Sequence, residues 1–381
     1  MLVMNNKLMK MKIKLLIFFL LSCLFACQNK HDISYHITRD TLVNVPLYAQ
    51  KGFYENDSGI YFYCKPIQYD SLCVYKIGEN ETFNFYNYLK IPSVFADSVD
   101  CNHEVSQWIL VNLDTIIALG NQTLNFLDMK NDTVFHTFPL EGDGYVLDAL
   151  CMNSLQWNKN RQVLPLRYVN YGNIKERMYN GDVEMVAEYS LEKGLQPIAP
   201  KYPFEISDSY LKDYTFLPPC LVMLASHEDM FVYAFSTSSL LICYDAKNNK
   251  VDSFYLNNEN YKPLPQLDTT GMAQISRSNF IGRQSLVNFY YTDLLYDAYK
   301  GIYYRFFKKD MPLKNEKGFF NTWDDVIYGV TLIDNKFNII GDVCFQPKEY
   351  RQTNFVTSKG LYSASQKNGN TIIYKLNFDY E

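Results

Sequence analysis

Two stretches of this chain, 117 residues apart, carry the same three-part layout, and that repetition restricts the fold more than any other feature. In the first, Thr115–Leu119 reads as a strand, Gly120-Asn121 as a tight turn and Thr123–Asp128 as a second strand; Lys130-Asn131-Asp132 is a further turn before the strand Thr133–Leu140. The second stretch repeats it: Phe231–Phe235, a Ser/Thr turn, Leu240–Asp245, the turn Lys247-Asn248-Asn249, then Val251–Leu256. Asp128-Met129-Lys130-Asn131 and Asp245-Ala246-Lys247-Asn248 occupy the same place in the two copies. A recurring antiparallel meander points to an all-β repeat architecture.

Four shorter segments extend the series. Tyr75–Asn80 precedes the first copy, Val186–Leu191 with Glu192-Lys193-Gly194 lies between the two, and Gly329–Lys336 and Thr371–Leu376 follow. Six units spaced on average about 60 residues apart are the pattern of β-propeller blades, each of which buries both faces of its sheet against its neighbours. The last unit ends five residues after Leu376, too soon for an outer strand. Ile33–Ile37 and Thr41–Leu47, near the other end, are strand-like and belong to no unit. An N-terminal strand that completes the last blade leaves no open sheet edge. The expectation is therefore a six-bladed β-propeller over residues 33–381, closed by its N-terminal strand. Tandem β-sandwich domains are the alternative, and they would need a linker at Pro197–Pro203 or at Pro263-Leu264-Pro265. Both segments read equally well as connections between blades.

The first 26 residues stand apart from this pattern. Lys7, Lys10, Lys12 and Lys14 precede an uncharged run, Leu15–Ala26, that meets Gln28-Asn29-Lys30-His31-Asp32. A basic segment followed by 12 apolar residues is a signal peptide, too short for the roughly 20 residues of a membrane-spanning helix. Leu24-Phe25-Ala26-Cys27 has the small residue and cysteine of a lipoprotein cleavage site, which makes Cys27 the expected lipidated residue and residues 27–32 a polar tether. Leu20-Leu21-Ser22-Cys23 fits the same pattern but would leave Leu24 and Phe25 in the mature tail. The expected partner is thus a membrane held through an N-terminal lipid anchor, and the expected location is the cell envelope, on the outer membrane. The single acid Asp32 after Cys27 favours the periplasmic side over the cell surface.

Without the leader, 355 residues carry 32 basic and 41 acidic side chains, and 48% of the whole chain is hydrophobic. Such a chain can bury a large core. An acidic balance with no Lys/Arg cluster excludes nucleic acid as the partner. Seven cysteines remain after Cys23 and Cys27, none closer than nine residues to the next, so no zinc-type cluster occurs and no metal or cofactor is expected. They read mainly as small buried hydrophobes, with Cys64 and Cys73 as the pair that a hairpin could join.

The leader Leu-Phe-Ala-Cys, the six Tyr/Phe-rich units, the segment Asp297-Ala298-Tyr299-Lys300-Gly301-Ile302-Tyr303-Tyr304-Arg305 and the ending Gly369-Asn370-Thr371-Ile372-Ile373-Tyr374 together resemble a family of six-bladed propeller lipoproteins from Bacteroidetes-type bacteria. The resemblance implies the fold and the compartment; it implies no catalytic residues.

Candidate chemistry is sparse. Arg277, Asn279 and Arg283 lie in one linking stretch, where loops at strand ends line a propeller's opening, and two arginines there suit a carboxylate or an anionic sugar. Asp324 and Asp325 follow Trp323 on a loop, where adjacent carboxylates bind Ca²⁺ or act as acid and base, although a solvated pair is the plainer reading. His227-Glu228-Asp229 reads as a polar turn, and His103 and His136 have no partner at ligand spacing. Asn288-Phe289-Tyr290-Tyr291, Tyr303-Tyr304 and Phe306-Phe307 read as blade packing before they read as a carbohydrate surface. Two functions follow: a non-catalytic binding or assembly module for a peptide, glycan or envelope protein, and a propeller hydrolase or lyase acting on polysaccharide or peptide. No nucleophile elbow, phosphate loop or His-Glu-x-x-His motif supports the second.

Overall fold

The computed structural model describes residues 33–42, 50–66, 69–97, 99, 105–120, 123–142, 145–148, 157–158, 161–169, 184–201, 222–263, 286–345, 353–367 and 370–379. Strand β1 (Ser34–Leu42) belongs to the last blade. Blade 1 holds β2 (Gln50–Asn56), β3 (Gly59–Lys65), β4 (Ser71–Ile77) and β5 (Phe83–Lys90), and blade 2, after helix α1 (Ser93–Ala96), holds β6 (Val105–Leu110), β7 (Thr115–Gly120), β8 (Thr123–Asp128) and β9 (Thr133–Pro139). Blade 3 adds a two-residue strand, β10 (Glu141–Gly142), to β11 (Tyr145–Asp148), β12 (Leu164–Val169), β13 (Glu184–Ser190) and β14 (Gly194–Lys201). Blade 4 comprises β15 (Val222–His227), β16 (Met230–Phe235), β17 (Ser238–Asp245) and β18 (Lys250–Tyr255). Blade 5 comprises β19 (Tyr290–Asp297), β20 (Ile302–Lys308), β21 (Tyr328–Asp334) and β22 (Ile339–Cys344). Blade 6 runs β23 (Thr353–Thr357), β24 (Gly360–Lys367), β25 (Asn370–Asp379) and then β1. The six units read from the sequence fall one to a sheet, and the protein is a six-bladed β-propeller.

Burial explains the sequence patterns. Middle strands are covered on both faces by neighbouring blades, so β3, β16 and β20 are almost continuously buried. Outer strands keep one face in water, and β9 alternates residue by residue, as β18 does from Val251 onward. The core accordingly lies in the seams. Ile109 and Ile117 of blade 2 pack with Leu164 and Leu166 of blade 3, and Met223 and Val232 of blade 4 pack with Tyr291 and Phe307 of blade 5.

The repeated Asp-x-Lys-Asn turn has a local cause. Asp128 accepts from the backbone N–H groups of Lys130 and Asn131 at 3.0 and 2.9 Å and from Asn131 Nδ2 at 2.8 Å. Asp245 accepts from the N–H of Asn248 at 3.0 Å and from its Nδ2 at 2.6 Å. The chain then passes through a left-handed residue, Asp132 in one copy and Asn249 in the other. Asp297 caps a similar turn that ends at Gly301, and Ser190 one that ends at Gly194, with glycine at the left-handed position. Side-chain capping and a residue tolerant of positive φ, rather than overall similarity, make the units recognisable.

The ring closes as expected, with one difference. β1 is a single strand that pairs antiparallel with β25 from Ser34↔Asp379 to Leu42↔Thr371, so the two segments read from the sequence are joined through Thr38, Arg39 and Asp40. Residues 43–47, the rest of the second segment, lie outside the described residues. The proline-rich Pro197–Lys201 is no linker: it lies in β14, the outermost strand of blade 3. An edge strand tolerates proline because one row of its backbone groups needs no ladder partner.

Candidate functional site

A cleft of about 580 Å³ opens at one end of blade 3, lined by Trp157, Arg161, Glu188, Glu192, Lys193 and Gln196 among others. Asn158 and Val163 exchange backbone hydrogen bonds at 2.9 and 3.3 Å, and Asn158 Oδ1 accepts from the N–H of Arg161 at 3.1 Å. The small loop between them, with Gln162 in the left-handed region, holds the Arg161 backbone in place. The Arg161 guanidinium is fixed from three sides: it donates through Nη1 and Nη2 to the two carboxylate oxygens of Glu188 on β13, the second at 2.7 Å. It also lies 5.2 Å from the ring centre of Phe231, and its Nε is 3.9 Å from Asp229 Oδ1 in the β15–β16 turn. Burial raises the pKa of Glu188, and the adjacent guanidinium opposes that rise.

Trp157 is 7% exposed, meets Phe126 edge-on at 6.0 Å, and its Nε1–H has no acceptor among the described residues. Lys193 is held by its backbone N–H, which donates to Ser190 Oγ at 3.0 Å, while Gln196 Nε2 donates to the carbonyls of Lys193 and Leu195. The lining pairs two cations, Arg161 and Lys193, with two anions, Glu188 and Glu192. Such a cleft presents many fixed donors and acceptors and little net charge, which suits a ligand that is polar and neutral.

Of the described residues singled out in the sequence, Asp229 lies beside Arg161 of this cleft, and Asp324 and Asp325 are not among its lining. Arg277, Asn279 and Arg283 fall outside the described residues, as do Cys27 and the leader. Asp324 and Asp325 are in the 3₁₀ turn Trp323–Asp325, where Asp325 Oδ2 accepts from the N–H and the hydroxyl of Thr322, each at 2.9 Å, and Thr322 Oγ1 accepts from the N–H of Asp324 at 3.3 Å. The Asp325 carboxylate therefore caps a turn in a long connection. His227-Glu228-Asp229 is the polar turn expected of it. Phe289, Tyr291, Tyr303, Tyr304, Phe306 and Phe307 are all at most 6% exposed, which places these aromatics between blades. No group of three His, Cys, Asp or Glu side chains among the described residues could hold a metal ion.

One buried carboxyl bears on stability. Asp293 on β19 accepts from its neighbour Leu294 N–H at 2.9 Å and from Asn354 Nδ2 of β23 at 3.2 Å, linking the innermost strands of blades 5 and 6. Burial pushes its pKa up to about 7, against those two hydrogen bonds. A folded pKa above the unfolded value of about 3.9 means that the folded state holds the proton more tightly, so stability from this group is full below pH 4 and falls as pH rises to 7. Three pKa units correspond to about 4 kcal/mol. Urea unfolding between pH 4 and 7 is expected to show wild type losing a few kcal/mol that Asp293→Asn does not lose; superimposable pH profiles would refute this.

No family model matches the sequence, and no curated protein matches it. Among solved structures, a member of the DUF4221 family from Bacteroides vulgatus superposes with a TM-score of 0.69 at 16% identity, over 93% of this chain and 100% of that one. A presumed exported protein from Bacteroides fragilis covers 92% of this chain and 96% of its own at 9% identity and a TM-score of 0.49, and a luciferin-regenerating enzyme covers 90% and 95% at 10% and 0.46. At such identities the first likeness concerns the fold, and the other two are too distant to add to it. The chain shares its six-bladed architecture with a Bacteroides propeller across nearly its whole length.

Proposed function

We propose that this protein is a cell-envelope lipoprotein, held on the outer membrane through acyl chains on Cys27, and that it works as a non-catalytic binding module for a neutral polar ligand of the glycan class. The charge-balanced cleft around Arg161 and Glu188 carries the reading. Planar side chains locked in place recognise sugar hydroxyls well, because each hydroxyl both donates and accepts a hydrogen bond. A Glu188 carboxylate already bound by both arms of a guanidinium is arranged to orient a ligand rather than to deliver a proton. Each buried CH₂ of an acyl chain contributes about 0.8 kcal/mol, so several chains give a durable anchor.

The test has two arms. Purified protein on an array of envelope and capsular glycans is expected to retain a defined subset, with binding weakened at least tenfold by Arg161→Ala or Gln196→Ala in folded variants; an empty array, or binding indifferent to both changes, would discard the cleft. Metabolic labelling with an alkyne fatty acid is expected to mark the wild type and not Cys27→Ser. An unlabelled wild type would remove the anchor.

A further inference from the structure

We infer that Cys64 and Cys73 form a cross-strand disulfide site that staples β3 to β4 beside the seam where the ring closes. The two residues are direct Cα partners in the antiparallel pairing of β3 and β4. Residues so opposed place their Cα atoms about 4.5 to 5.5 Å apart, inside the roughly 4.4 to 6.8 Å that a disulfide spans, with both Cβ atoms on one face. Both thiols are reduced in this structure and buried, Cys64 fully and Cys73 with 6% exposure, and they pack with Phe355, Ala364 and Ile373 of blade 6. A bond here would tie the two middle strands of blade 1 where they meet the closing blade.

The surroundings make the two sulfurs unequal. The hydrogen bond from Cys64 lowers the pKa of Cys73, with Lys65 assisting, whereas that same bond and burial raise Cys64. Lys51, the partner of Cys64 on β2, is lowered to about 8 by burial, and its charge offsets only part of the rise at Cys64. Cys73 is therefore the attacking sulfur and Cys64 the resolving one. With oxidised glutathione as oxidant, Cys73 thiolate attacks its S–S bond and releases one glutathione; Cys64, losing its proton, then attacks the mixed disulfide and releases the second. Two thiols become one disulfide, and the electron pair and both protons leave on two glutathione molecules.

The proposal is independent of the glycan reading, because its readout is covalent. Reduced protein is equilibrated with oxidised glutathione, then alkylated, digested and mapped by mass spectrometry. The expected result is a single 64–73 linkage with unalkylated sulfurs, a thermal midpoint raised by several degrees, and reversal of both by dithiothreitol. Cys64→Ser is expected to accumulate a glutathione adduct on Cys73, while Cys73→Ser forms none on Cys64. Refolding from urea in the same redox buffer removes access as an obstacle. A native fold with both thiols alkylated under these conditions, or a linkage to any other cysteine, overturns the proposal.

Discussion

A chain that begins at Val43, lacking β1, is expected to lose the cooperative thermal transition shown by one that begins at Gln28, or to show it more than 10 °C lower. The reason is that β1 carries the N-terminal part of the chain into the last blade: nine consecutive residues pair with β25, and without them β25 is an open edge. Its side chains also fill a seam. Ile33, Tyr35 and Ile37 pack on the cluster that contains Tyr374, Leu376 and Phe378 together with Leu295 and Phe306 of blade 5, and Tyr35 meets Phe345 edge-on at 5.4 Å. Burying three such side chains in part stabilises by roughly 3 to 6 kcal/mol, a large fraction of the 5 to 15 kcal/mol typical of a folded protein. The exposed β25 edge then invites pairing between chains, so size-exclusion chromatography is expected to show oligomers. A peptide of residues 33–42 added in trans is expected to restore part of the transition. A truncated monomer that melts like the longer chain would show that closure contributes little.

How much of this was legible follows from which interactions are local. The Asp128 and Asp245 turns are set by side chains two or three residues away, so their spacing identifies the blades. The alternation of Thr133–Pro139 and the unbroken apolar run of Met230–Phe235 report exposure directly, and so distinguish outer from middle strands. Proline misleads at Pro197, because an edge strand and a linker tolerate it equally. The cleft was not legible: Arg161 and Glu188 are 27 residues apart, and their meeting depends on the pairing of β12 with β13, where Pro165 opposes Glu188. Asp324 and Asp325 drew attention because adjacent acids resemble a site, yet a threonine two residues before Asp324 is also the start of a capping box. Cys64 and Cys73 were readable as a hairpin pair, but only the register makes them opposite. Arg305 carried the clearest missed signal. A cation in the middle of Tyr303-Tyr304-Arg305-Phe306-Phe307, part of a strand buried along its whole length, must have partners of its own.

Those partners make Arg305 the site of the largest expected point effect: Arg305→Met is predicted to destabilise the propeller by about 3 to 5 kcal/mol, measured by urea unfolding. The side chain is 1% exposed and crosses from blade 5 into the β16–β17 turn of blade 4, donating to the carbonyls of Ser238 at 2.6 Å, Ser239 at 3.2 Å and Phe235 at 3.3 Å. Its guanidinium carbon lies 3.4 Å from the centre of the Tyr291 ring, which Tyr261 stacks against on a nearly parallel plane. No described carboxylate forms an ion pair with it, and burial lowers its pKa to about 10, so it stays charged at neutral pH. Two effects compete on substitution. Removing a buried charge returns a desolvation penalty of several kcal/mol, and replacing both members of a buried ion pair by apolar groups is often neutral for that reason. Here the acceptors are main-chain carbonyls that no mutation removes; Ser239 keeps the N–H of Leu256 at 3.0 Å, but methionine takes the guanidinium donor from Ser238 and Phe235 in a sealed seam, at about 1 to 3 kcal/mol each. The loss wins. Arg305→Lys keeps the charge but brings a single ammonium where a planar fork reaches three oxygens, and is expected to recover less than half of the difference. Equal stability of the methionine variant and wild type would mean that the turn of blade 4 relaxes to bond its own carbonyls, and that the two blades are held by their aromatic packing alone.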